Sequence, residues 1–237
     1  MRPQYRLVAA LLVVLVALTS CARTTAFTRG EGIRSPGAGA RVLLMPPDVE
    51  LYELTAGGLL EPKAEWTAKA TEHVTAALKE ELALKNALPI RYTPPTPNSP
   101  KEYAHNQILK LYDAVGETIL VHQYNPELRL PTKKDTFEWS LGQGVNVLRE
   151  EYGADYGLFI FIRDSYASAG RIVTAIAVAA LGVIAPPGGT QVGFASLVDL
   201  TTGDILWFNR LINPTGDLRD LGPARKAVNA LLTDLPP

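Results

Sequence analysis

The chain has 237 residues, of which 23 are basic, 24 are acidic and 47% are hydrophobic. This balanced charge excludes a strongly basic nucleic-acid-binding surface and a polyacidic protein, so we expect no nucleic-acid partner. The single cysteine, Cys21, excludes a disulfide within one chain and a cysteine-based metal site.

The first 21 residues have the order of a secretory signal. Arg2 and Arg6 precede an unbroken apolar run over residues 7–17, which is too short for a membrane span of about 20 residues. The run is followed directly by a short motif: Leu18, Thr19, Ser20 and Cys21. An ordinary secretory peptide with a chance cysteine at its end is the alternative to a lipoprotein signal.

The motif that ends at Cys21 resembles the bacterial lipobox. The resemblance implies that the chain is cut before Cys21 and that this cysteine carries two or three acyl chains, which together make a stable membrane anchor. Ala22, rather than an aspartate, follows the cysteine. In enterobacterial lipoproteins this favours the outer membrane, so we expect a lipid-anchored protein whose domain faces the periplasm.

Composition divides the chain into an anchor, a linker and one body. Residues 1–20 are predicted to be the lipoprotein signal peptide. Residues 21–40 are small and polar with several glycines, which predicts a flexible tether after the acylated Cys21. Residues 41–237 are predicted to form a single domain with an insertion over residues 165–190.

The body alternates strand and helix patterns. Strands are predicted at residues 41–45, 88–92 and 154–162, with hairpins at 49–60 and 191–212. Helices are predicted at residues 64–84, 101–115, 137–148 (after a capping box at 135–138) and 221–232, and residues 116–134 are ambiguous. This order predicts an α/β (α+β) fold with a central mixed sheet and helices layered on it.

Three stretches of the body resemble a known group of proteins. They are "EWTAKATEHVTAALKEEL" at residues 65–82, "GADYGLFIFIRD" at 153–164 and "GFASLVDLTTGDILWFNRL" at 193–211. Together they resemble the CsgG-like group of bacterial lipoproteins, whose fold is similar to the N-terminal domain of TolB. The resemblance implies a secretion pore, a protein-binding activator or an envelope scaffold, and it implies no enzymatic chemistry.

The insertion contains the most apolar part of the body. No charged residue occurs between Arg171 and Asp199, and residues 172–185 are rich in alanine, which favours a helix. Such a helix is about 21 Å long, short of the roughly 30 Å hydrocarbon core of a membrane. Three possibilities stay open: a buried core helix, a subunit or shallow membrane contact, and an extended pore hairpin. The candidate contact residues are Ile172, Val173, Ile176, Val178, Leu181 and Ile184.

No catalytic, metal-binding or cofactor-binding motif is visible around the three histidines or Ser140. We therefore expect a protein that is not an enzyme. One group of residues is a candidate peptide-binding or glycan-binding site, because polar and aromatic side chains follow the apolar strand and Glu138 and Trp139 begin a nearby predicted helix. Its members are Glu138, Trp139, Arg163, Asp164 and Tyr166. The alternative is an ordinary charged strand end with local salt bridges.

These features predict a non-enzymatic scaffold, assembly or partner-binding lipoprotein at the outer membrane. The expected partners are the membrane, through the N-terminal lipid, and either an envelope protein or further copies of this chain. One alternative is a subunit of an oligomeric CsgG-like export pore. A weaker alternative is a cell-wall hydrolase.

Overall fold

A computed structural model describes residues 22–30, 39–85, 88–133, 136–180 and 189–236. The strands in this part of the chain are β1 Arg23–Thr28, β2 Arg41–Leu44, β3 Asp48–Leu54, β4 Leu60–Pro62, β5 Leu88–Arg91, β6 Tyr156–Ala167, β7 Gln191–Asp199 and β8 Ile205–Asn213. The α-helices are α1 Ala64–Leu84, α2 Pro100–His122, α3 Asn146–Tyr152, α4 Ala169–Ala180 and α5 Leu221–Leu231. The predicted α+β fold with a mixed sheet and layered helices is confirmed.

The eight strands form one mixed sheet with β6 at its centre. The main path of the sheet is β1-β8-β7-β6-β2-β5, in which β6 pairs antiparallel with β7 and parallel with β2. Pro46 and Pro47 interrupt the ladder after β2 because proline has no N–H to donate. The chain then resumes as β3, which pairs parallel with the later part of β6, from Phe161 to Ala167.

Helices α1 and α5 cover one face of the sheet. The buried side chains of α1 recur at helical spacing, since Ala70, Val74, Ala77 and Leu78 face the core. This face also receives the even-numbered apolar residues of β6, because side chains alternate across a strand. They are Leu158, Ile160 and Ile162.

Helices α2 and α3 cover the other face, which is rich in aromatic rings. Phe194 lies between Phe161 and Phe208, with ring centroids 4.6 and 5.2 Å away and nearly parallel planes. Helix α2 approaches this stack so closely that a Cβ at Gly116 would lie 2.1 Å from the ring of Phe194. The helix therefore continues through Gly116 to His122, in the stretch that was ambiguous from the sequence.

The predicted tether over residues 21–40 is wrong for residues 23–28. These residues form β1, which pairs antiparallel with β8 at the edge of the sheet. Phe27 anchors the strand by packing against Tyr124 and Phe137, at centroid distances of 4.9 and 5.9 Å. Threonine and phenylalanine suit a half-buried strand, and this preference outweighs the small, polar character of the segment.

The predicted helix over residues 137–148 is also wrong in its first half. Phe137, Trp139 and Leu141 are buried while Glu138 and Ser140 are exposed, which is the alternation of an extended chain. Backbone hydrogen bonds join Leu141 to Gly203 and Ile205 to Trp139, so this segment lies against the β7–β8 turn. Gly142 has a φ of +73° and precedes a 3₁₀ turn, Gln143–Val145, instead of packing within a helix.

The other predicted elements are confirmed with small changes at their ends. The hairpins at 49–60 and 191–212, the helices at 64–84 and 221–232 and the central strand are all present. Strand β6 extends to Ala167, so the insertion between β6 and β7 starts later than predicted. The described part of that insertion is helical, as its alanine content predicts.

Candidate functional site

Arg163 lies in the later part of β6, on the face that α2 covers. Its two terminal nitrogens each donate to one carboxylate oxygen of Asp48 at 2.9 Å, and its Nε lies 3.4 Å from Glu50. The guanidinium also lies 3.9 Å above the ring centre of Phe161. A bidentate ion pair of this kind fixes the side chain in one orientation.

A cleft of about 560 Å³ lies beside this ion pair, between α2 and the β3–β6 pair. Lys110 and Asp113 of α2 line it together with Asp48, Glu50 and Arg163. Burial, and then the negative charge of Asp48, raise the pKa of Asp113 to about 6. The cleft therefore presents two cations and three carboxylates beside apolar walls, an arrangement that suits a polar ligand such as a peptide or a glycan.

Asp164 points to the opposite face of the sheet and is 1% exposed. One of its carboxylate oxygens accepts hydrogen bonds from the Tyr166 hydroxyl at 2.5 Å and from Gln191 Nε2 at 2.9 Å. The other oxygen has no hydrogen-bond partner among the described residues. Burial raises the pKa of Asp164 to about 6, although these hydrogen bonds act in the opposite direction.

Tyr166 connects this buried carboxylate to the segment that leads into α5. Its hydroxyl accepts a hydrogen bond from the backbone N–H of Leu218 at 2.8 Å. Its ring lies 3.8 Å from the guanidinium of Arg219 and packs edge-on against Trp66. Asp164 and Tyr166 thus link β6 to β7 and to the segment before α5. Neither residue lines the cleft at Arg163.

Glu138 and Trp139 lie at the other end of the sheet from Arg163. Trp139 is 8% exposed, and its carbonyl accepts hydrogen bonds from Ile205 N at 2.9 Å and Arg29 at 3.3 Å. Glu138 is exposed, and its carbonyl accepts a hydrogen bond from Lys133. The five predicted binding residues are therefore separated into three places, and only Arg163 contributes to a cleft.

The residues that complete the cleft were not predicted from the sequence. Asp48 and Glu50 come from β3, and Lys110 and Asp113 lie on α2. Only Asp48 has a local sequence signal, because it follows Pro46 and Pro47 at the start of β3, beside the central strand β6. Lys110 and Asp113 show only the ordinary pattern of an exposed helix face, which gives no such signal.

Two of the predicted contact residues in the insertion are exposed. Ile172 is 44% exposed and Val173 is 65% exposed, both near the start of α4. Ile176 and Val178 lie within α4, where the structure describes the backbone and not the side chains. Leu181 and Ile184 lie outside the described residues. The predicted signal and lipidation residues also lie outside them: Leu18, Thr19, Ser20 and Cys21.

Each histidine ring has a partner within the fold. His73 and His122 contact the carbonyls of Leu218 and Leu128, at 3.0 and 2.6 Å. His105 is buried, lies 3.1 Å from the Tyr92 hydroxyl, and has a pKa that burial lowers. Across the described ranges, no cluster of three or more histidine, cysteine or acidic residues has the arrangement of a metal site. No helix in those ranges has the length and hydropathy needed to cross a membrane.

No protein-family model matches the chain, and no curated protein matches it in sequence. Among solved structures, the chain is similar to the PelC dodecamer from Paraburkholderia phytofirmans, with a TM-score of 0.40 and 12% identity over 91% of this chain and 99% of that chain. It is also similar to the LpoB C-terminal domain from Salmonella enterica, with a TM-score of 0.28 and 16% identity over 78% of this chain and 88% of that chain. Likenesses at this level establish neither a shared family nor a shared function.

Proposed function

We propose that this protein is a cell-envelope lipoprotein, anchored through Cys21 to the outer membrane, whose periplasmic domain binds a partner and is not an enzyme. One observation carries the proposal. Ala22, the residue directly after the predicted anchor Cys21, packs against the core, and β1 begins at Arg23. An acylated Cys21 would therefore directly precede a residue that packs on the folded body, which supports a domain held close to its membrane anchor.

The partner-binding part of the proposal rests on the charged cleft. Arg163 is held by Asp48 in a single orientation, so a ligand would meet a preorganised cation. Lys110 and Asp113 on α2 supply a second charged wall. Membership of the CsgG-like group belongs to the same proposal, since it would give an envelope scaffold or activator.

The described part of the insertion supports this proposal over an export pore. A pore of the curli type would need membrane-inserting strands, whereas Ala169–Ala180 is an α-helix. The mass of the purified full-length protein in detergent separates the two functions. A ring of many copies that conducts ions across a planar bilayer would favour the pore and contradict the scaffold.

The anchor is tested by expressing the full chain with its own leader in a Gram-negative host. We expect incorporation of labelled palmitate, a mature mass that corresponds to cleavage before Cys21, and fractionation with the outer membrane. Cys21→Ser is the matched control and should lose the label and the mature mass together. A wild-type protein that is cleaved elsewhere, or that carries no acyl chain, would contradict the proposal.

A further inference from the structure

Two segments with exposed apolar side chains meet at one end of the sheet. Residues 54–60 join β3 to β4, and α4 begins just after β6. The backbone N–H of Ser168 donates to the carbonyl of Leu54 at 3.0 Å, and a Cβ at Gly170 would lie 3.6 Å from that of Ala56. The exposed apolar side chains of the two segments, called here the apolar tip, are Leu59 (70% exposed), Leu60 (55%), Ile172 (44%) and Val173 (65%).

The sheet register places the start of β1 at the same end. Arg163 of β6 pairs with Val192, which pairs with Ile212, which in turn pairs with Arg23. Strand β6 runs from this row towards the apolar tip. Because β1 is antiparallel to β8, the chain that precedes Arg23 leaves the sheet in that same direction.

Simple strand dimensions bring the anchor and the apolar tip to one surface. Four further residues carry β6 from Arg163 to Ala167, about 13 Å at strand spacing. Cys21 precedes Arg23 by two residues, about 7 Å of extended chain, and its acyl chains extend further. The lateral separation between β6 and β1 is three strand spacings, about 14 Å. A flat membrane surface at this end of the sheet can therefore contact both the apolar tip and the acyl chains of Cys21.

We propose that the apolar tip inserts into the surface of the bilayer in which Cys21 is anchored, so that the body stands on the membrane by this end. The inference rests on the proposed acylation of Cys21. A lipid surface is the occupant, rather than a second copy, because the anchor brings the bilayer to this end of the sheet. Ala22 already packs on the core, so the body has no long linker by which to leave that surface.

Contact with a bilayer would cover these exposed side chains. A contiguous patch of exposed leucine, isoleucine and valine side chains commonly marks a contact with another protein or a membrane. At a membrane surface, such side chains reach about 5–10 Å into the boundary between headgroups and acyl chains, which the exposed first turn of α4 and the hairpin turn can do without spanning the bilayer. Arg23, exposed beside the anchor, suits the adjacent phosphate groups.

The test uses the full-length acylated protein in liposomes. Cys21 is the only cysteine and its sulfur is alkylated in the mature lipoprotein, so an introduced cysteine is the only free thiol. Val173→Cys and Leu59→Cys place an environment-sensitive fluorophore on the apolar tip. Thr201→Cys places the same fluorophore on the exposed β7–β8 turn, at the other end of the sheet, and is the matched control.

We expect the two tip fluorophores to lose their emission when lipids with a quencher on the upper acyl chain replace ordinary lipids, while the control fluorophore keeps its emission. Equal, unquenched emission from all three would overturn the proposal. Blue-shifted but unquenched emission at Val173→Cys, with a dimer mass in detergent, would overturn it in favour of a contact between copies.

Flotation and mass spectrometry of the same samples separate the two proposals. A protein that is acylated and floats with the liposomes, but whose tip fluorophores are not quenched, overturns this inference alone. A protein that carries no acyl chain and does not float overturns the proposed function and this inference with it.

Discussion

Replacing Asp164 by asparagine tests whether this residue, a candidate for partner binding from the sequence, is a structural carboxylate. Asp164→Asn keeps an oxygen that accepts from Tyr166 and Gln191 and removes the buried negative charge. Because the folded pKa is raised from 3.8 to about 6, the native state holds the proton more tightly than the unfolded state. This contribution to stability is present at low pH and is lost as the pH rises from about 4 to about 6.

The magnitude follows from the shift. About two pKa units correspond to about 3 kcal/mol in full, of which about 2 kcal/mol falls between about pH 4.5 and pH 7.5. Asp164→Asn has no carboxyl group at this position, so its free energy of unfolding does not show this decrease as the pH rises. The difference in unfolding free energy between Asp164→Asn and wild type should therefore move in favour of the variant by about 2 kcal/mol over that range.

Urea unfolding of both proteins at several pH values measures this difference. Asp220→Asn, at an exposed position, controls for the loss of one negative charge. A difference between Asp164→Asn and wild type that stays constant with pH would refute the reasoning, since it would mean that the carboxyl titrates alike in the folded and unfolded chains.

Three further predictions concern packing and pH. Gly116→Ala should lower the free energy of unfolding by about 1–3 kcal/mol because its Cβ meets the ring of Phe194, whereas Gly222→Ala, with open space around it, should be neutral or stabilising; thermal unfolding measures both. Phe27→Ala should cost about 1–2 kcal/mol if β1 belongs to the body, and unchanged thermal stability would argue for a free tether. Burial lowers the pKa of His105, so the stability that its neutral form contributes should be lost as the pH falls below the pKa of a free histidine. In urea unfolding, His105→Gln should reduce the dependence of the free energy of unfolding on pH over that range.

The regular part of the fold was predictable because its periodicity is local. The four-residue spacing of Ala70, Val74 and Leu78 marks α1 without reference to any other element. The apolar run within β6 likewise marks a strand that is covered on both faces. A helix was wrongly predicted at residues 137–141 because the four-residue spacing of Phe137 and Leu141 fits a helix as well as the alternation of an extended chain, which is what the structure has.

The candidate site was less predictable because it combines residues far apart in the chain. Sequence order suggested that Arg163 and Asp164 belong to one site, whereas the strand places them on opposite faces. The partner of Arg163 is Asp48, 115 residues earlier, and the cleft wall opposite comes from α2. No pattern within a short window relates these three elements.

The sequence by itself was enough to identify the single cysteine, the order of a secretory signal before it, the α+β class and the uncharged run after Arg171. Each of these depends only on residue types and their spacing. The tertiary structure decided the rest. Only the pairing of β1 with β8 shows that residues 23–28 belong to the sheet, and only the sheet register places Arg23 at the same end as Leu59 and Val173. Register and strand order arise from contacts between distant segments, and those contacts determine which segments lie together at one end of the sheet.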